Sequence, residues 1–123
     1  MLWYWILAAL LLMIVQCQYF SDSTQDGSIR VLVRQASRWS TAARQDQNPL
    51  IALLHANYGA AYLWALKDIA TDKDIERVTG IDVIRFAKEI TEEQDRANKK
   101  IIRLCPQIAP ERTYLAKLGG EGT

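Results

Sequence analysis

The chain begins MLWYWILAALLLMIVQCQYF, and no charged side chain appears before Asp22. This opening run constrains the fold more than any other feature. A membrane-crossing helix needs about 20 predominantly apolar residues. Residues 2–20 meet that length, and their only strongly polar members, Gln16 and Gln18, stand near the end. Trp3, Tyr4 and Trp5 cluster at one end and Tyr19 and Phe20 at the other. Aromatic rings with polar edges favour the two membrane interfaces. With Leu2, these five aromatics are the candidate anchor residues. A cleaved secretory leader would carry a basic start and a small-x-small cleavage site. No Lys or Arg precedes Arg30 and no such site follows the run, so a retained anchor over residues 1–20 is expected.

Orientation follows from the distribution of basic residues. Arg30, Arg34, Arg38 and Arg44 all lie on the C-terminal side of the anchor. The positive-inside rule then puts the body of the protein on the cytosolic face.

Residues 21–28 (SDSTQDGS) are polar, include Gly27 and read as a linker. From residue 29 the pattern is helical. Ile29, Leu32, Val33, Ala36, Trp39 and Ala43 share one side of a helix over residues 29–45, with Ser28 as its expected cap. Arg30, Arg34 and Arg38 stack along another side at four-residue intervals, with Arg44 nearby. They form a candidate docking face for lipid headgroups or an acidic partner. Asn48-Pro49 pairs a capping residue with a proline at the first helical position. The segment that follows is apolar nearly all round, which marks a central core helix. A second span is the alternative, opposed by His55 and Asn57 in its middle. Thr71 and Asp74 have capping-box spacing and Gly80 suits a helix stop, so TDKDIERVTG reads as one short helix. Val83, Phe86, Ile90, Ala97, Ile101 and Leu104 give the periodicity of a longer helix that ends before Pro106. Pro110 is expected to open a last short helix, followed by a loose tail.

The expected fold is therefore all-α: a transmembrane anchor (1–20), a linker (21–28), a body of three to four helices (29–105), and a short helix with a flexible tail (106–123).

Chemistry-bearing clusters are sparse. His55, Asn57 and Cys105 carry no local signature of a nucleophilic set. One histidine and two distant cysteines, Cys17 and Cys105, lack zinc-ligand spacing, and free thiols are expected. Asp72, Asp74 and Glu76 are out of register for a calcium loop and suit a helix start. Tyr58, Tyr62 and Trp64 read as packing residues, and palmitoylation of Cys17 is a minor alternative. The net charge is +1, which gives no overall field to gather nucleic acid. No enzyme, cofactor or metal is expected.

NPLIALLHANYGAAYLWALKDIATD and IERVTGIDVIRFAKEITEEQDRANKKIIRLCP resemble segments of small membrane-anchored virion proteins of large icosahedral DNA viruses of the phycodnavirus and mimivirus kind. The likeness spans residues 37–106 and contains no catalytic signature. It implies a minor virion protein linking an internal membrane to the capsid shell. The partners it implies are the lipid bilayer and capsid or other virion proteins, with self-association as a further option. The alternative is a membrane-tethered adaptor or assembly factor that binds a protein in the host cell.

Overall fold

The computed structural model describes residues 1–108. Those residues form four α-helices and no strand. They are α1 (Leu2–Gln45), α2 (Pro49–Ile69), α3 (Asp72–Thr79) and α4 (Val83–Leu104), followed by a 3₁₀ turn at Pro106–Ile108. The helix expected from Pro110 lies outside the described residues.

The main departure from expectation is α1. Anchor, linker and first body helix are one continuous helix of 44 residues, about 66 Å long at 1.5 Å per residue. Residues 21–28 are not a linker, and Ser28 is not a cap. Their polarity is absorbed locally. Ser23 and Thr24 donate to the Phe20 carbonyl and Ser28 donates to that of Thr24, bonds that turn short hydroxyl side chains back onto the helix. The same turns are also clamped from outside. Gln25 Nε2 donates to the Ile69 carbonyl at 2.9 Å, and Arg77 pairs with Asp26 at 3.1 Å. These contacts offset the cost of Gly27 in a helix interior, about 1 kcal/mol.

The body is a three-helix bundle with α3 closing one end. The C-terminal part of α1 runs away from its apolar N-terminal stem, α2 returns, and α4 runs out again. Three layers show this order. Ile29, Leu66, Ile75, Val78 and Val83 fill the layer nearest the stem. Ala36, Ala60, Leu63 and Ile90 fill the middle. Ala43, Ala56 and Ala97 fill the far end. The core thus tapers from branched side chains to alanines. On α1 the buried residues Ile29, Ala36 and Ala43 recur every seven positions, the spacing of coiled-coil packing.

The helix ends match their sequence signals. Asn48 Oδ1 accepts from the Leu50 and Ile51 amides, with Pro49 in the first turn. Thr71 and Asp74 form a complete capping box, and Gly80 adopts the left-handed conformation (φ 72°) that glycine tolerates. Asp82, not foreseen, caps α4 by accepting from the Arg85 amide at 3.0 Å. Leu104, expected on the core face, is exposed because α4 has by then run past the last alanine layer.

Candidate functional site

The candidate functional parts are the stem and the outward faces of the body. Along the stem, Leu2, Trp3, Tyr4, Trp5, Tyr19 and Phe20 are 70–79% exposed. None of the apolar part of α1 is buried by the described residues, and α1 is the one helix among them long and apolar enough to cross a membrane. α2, the alternative second span, is instead packed between α1 and α4 within the body, with Ala52, Ala56, Gly59, Ala60, Leu63 and Leu66 buried.

The four arginines do not act as one stripe. Arg30 donates to the Val78 carbonyl at 2.9 Å, which ties α1 to the end of α3. Arg44 reaches across to Glu93 on α4, with Nε 3.2 Å from the carboxylate. Arg38 lies 5.3 Å from the centre of the Trp39 ring, within cation–π range. Arg34 is exposed and forms no ion pair among the described residues. Arg34 and Arg38 border an open groove with Ser37, Thr41, Ala42 and Gln45. Two of the four, Arg30 and Arg44, are therefore tied to other helices of the body, and Arg34 and Arg38 are not.

Glu93 was missed at the sequence level because it reads as one more charge on a solvated face. It is 4% exposed. Arg44 and Arg96 both contact its carboxylate. A carboxylate this buried needs such partners, because desolvation otherwise costs several kcal/mol. Beside it, between α1 and α4, a groove of about 180 Å³ is lined by Ser37, Ser40, Thr41, Arg44, Glu89 and Glu93, together with Phe86 and Ile90. Ser40 Oγ is buried there without a hydrogen-bond partner among the described residues.

His55 belongs to a helix contact, not to a nucleophilic set. Its Nδ1 pairs with Asp46, the residue that ends α1. Its ring lies 5.0 Å from Trp39, and Trp39 meets Tyr58 edge-on at 5.3 Å. Asn57 accepts from Gln94 Nε2 at 3.0 Å and does not join His55. Tyr62 packs against the middle layer, as its packing role required, whereas Tyr58 and Trp64 are 44% and 59% exposed. Cys17 and Cys105 are free thiols. No group of three or more metal-ligating side chains occurs among the described residues.

At the stem end, the acids of α3 work as helix-start groups. The hydrogen bond from Thr71 holds the Asp74 carboxyl below its usual range, with the nearby Arg77 adding to the effect. The bond to Asp26, reinforced by that residue's charge, raises the Arg77 guanidinium above its usual value. Glu89 does the same for Arg85 on α4. These pairs are exposed, and solvent screening limits their contribution.

No protein-family model, curated protein or solved structure matches the chain.

Proposed function

We propose that this chain is a single-span structural protein that holds a small helical body at a fixed distance from a bilayer, with the body on the cytosolic side. The observation that carries this reading is the uninterrupted α1. The helix that would cross the membrane is the same helix that buries Ile29, Ala36 and Ala43 in the body core. An adaptor that searches for its partner needs a flexible tether. A spacer between two surfaces needs a stiff one, and an α-helix supported by side-chain clamps supplies it. Within the virion setting that the sequence resemblance implies, the two surfaces are the internal membrane and the capsid shell. The body would then meet shell proteins through its outward faces.

The test is crosslinking of intact particles or membranes with a lysine-reactive reagent, read by mass spectrometry. Lys67, Lys88, Lys99 and Lys100 are exposed and span the body from end to end. Links from the distal pair, Lys99 and Lys100, to a shell protein are expected, together with retention of the chain in the membrane through alkaline carbonate. Release by salt alone would remove the anchor. Absence of the chain from purified particles would remove the virion role.

A further inference from the structure

The three helices of the body differ in what they show to solvent. α4 shows ion pairs, Arg85 with Glu89 and Lys88 with Glu92. α1 shows Arg34 and Arg38. α2 shows apolar surface: Leu50, Leu54, Tyr58 and Trp64 are 60, 45, 44 and 59% exposed, with Ala61 exposed among them. Residues 50, 54, 57, 61 and 64 are separated by alternating steps of four and three, the seam spacing of a coiled coil, with Asn57, whose amide oxygen accepts from Gln94 of α4, as the one polar member at the seam's edge. Between Pro49 and Leu66 the helix carries no Asp, Glu, Lys or Arg.

We propose that this face of α2 pairs with the same face of a second copy, the two helices lying parallel about a two-fold axis along the membrane normal. Three observations select this occupant. An interface on a two-fold sets each patch against its own image, so a charged face repels itself. That removes the arginine face of α1, and α2 offers the uncharged alternative. Ala61 sits mid-seam with Leu54 and Trp64 on either side, and a small residue there lets two backbones approach while larger side chains interlock. The area is also adequate. The exposed parts of the seam and of neighbouring Ile51 come to roughly 550 Å² per copy, about 1,100 Å² in all, near the lower bound for a specific dimer. Confinement to one bilayer raises the effective concentration of co-oriented copies and lowers the intrinsic affinity required.

The geometry also sets where the stems go. Gly59 faces α1, and Ala61 lies roughly 160° around α2 from it. Each stem therefore stands on the far side of its own α2. With helix axes 8–10 Å apart, the two stems are separated by about 25 Å. The dimer is held by the bodies, and Cys17 of one copy stays away from Cys17 of the other.

The inference takes its parallel sense from the membrane-anchored reading. It is tested on the full chain in membranes, with Cys17 and Cys105 replaced by serine. Ala61→Cys is expected to give an intermolecular disulfide dimer under mild oxidation. Ser37→Cys, on the arginine face, stays monomeric, and so does a separate chain that keeps Cys17 as its one cysteine. Adding Leu54→Glu to Ala61→Cys lowers the dimer yield by tenfold or more. The inference is overturned if Ala61→Cys stays monomeric while open to maleimide, since the face is then bare. It is equally overturned if the thiol is shielded yet uncrosslinked, since something other than a second copy covers it. Comparable dimer from Ser37→Cys would also overturn it, by showing random collision. Loss of the chain to a salt wash fails the anchored reading alone. A monomer that resists carbonate fails the dimer alone.

Discussion

Glu93 shows how a single residue can be decisive without being visible as such in the sequence. Among Glu92, Glu93, Gln94, Asp95 and Arg96 it looks like one member of a solvated run. Yet it is buried to 4%, while the Arg44 and Arg96 side chains that contact it are 64% and 56% exposed. This asymmetry predicts opposite outcomes from the two sides of the pair. Glu93→Leu removes the buried charge and leaves two arginines with access to water, so stability should be unchanged or slightly raised. Arg44→Ala with Arg96→Ala strands the carboxylate and should cost about 2–3 kcal/mol. Urea unfolding of the full chain in detergent, followed by circular dichroism, compares the two. A large loss from Glu93→Leu alone would contradict the argument. Asp74 gives a pH prediction. Its carboxyl is held below the usual range by Thr71 and Arg77, so the folded form binds its proton less readily than the unfolded one. The contribution is present above the ordinary aspartate range and is lost as pH falls through the lowered native value. The protection of α3 amides, taken relative to their intrinsic exchange rate at each pH, should fall over that acidic interval, and Asp74→Asn should remove the dependence.

The elements were legible to different degrees, for identifiable reasons. α2, α3 and α4 are framed by local signals: Asn48-Pro49, the Thr71–Asp74 box, Gly80 and Pro106 act within a few residues of themselves. They survive folding because nothing distant opposes them. Residues 21–28 misled because their helicity is imposed from far along the chain, by the Ile69 carbonyl on Gln25 and by Arg77 on Asp26, 44 and 51 positions away. No local propensity reports such partners. The arginine stripe was half legible. The spacing placed the side chains correctly, but Arg30 and Arg44 turned out to be held by Val78 and Glu93. Gly59 is another residue whose role only packing reveals. A Cβ there would overlap Ser40 Oγ and lie 3.1 Å from the Ser40 amide nitrogen and 3.3 Å from the Ala36 carbonyl oxygen. In an isolated helix Gly→Ala stabilises by about 1 kcal/mol. Here Gly59→Ala should instead destabilise by about 1–3 kcal/mol, because it forces α1 and α2 apart. Adding Ser40→Ala removes the hydroxyl that lacks a partner and should restore part of the loss. Thermal melts of the two variants against the parent chain distinguish the cases.

At the scale of the whole molecule, the continuous α1 converts sequence position into height. If Phe20 marks the edge of the hydrocarbon, Arg34 stands about 21 Å and Arg38 about 27 Å beyond it at 1.5 Å per residue. Electrostatic attraction to lipid headgroups is screened over about 8 Å at physiological salt. On the membrane-anchored reading we propose, an upright stem would hold both arginines out of reach of the bilayer, where an acidic protein surface rather than lipid would be their complement. That conclusion depends entirely on the stem being stiff, which can be measured. Nitroxide labels on Cys17 and on Ser37→Cys, both exposed positions on α1, lie 20 residues apart and should be about 30 Å from one another. With Cys105 replaced by serine, pulsed electron resonance on a singly labelled-pair chain in nanodiscs, diluted with unlabelled chain, should give one narrow distance distribution. Gly27→Pro removes the amide that bonds to the Ser23 carbonyl and introduces a kink, so the distribution should shift and broaden. A broad distribution in the parent chain would mean that residues 21–28 bend freely. The arginines could then swing down to the headgroups, and the fixed spacing between membrane and body would no longer hold.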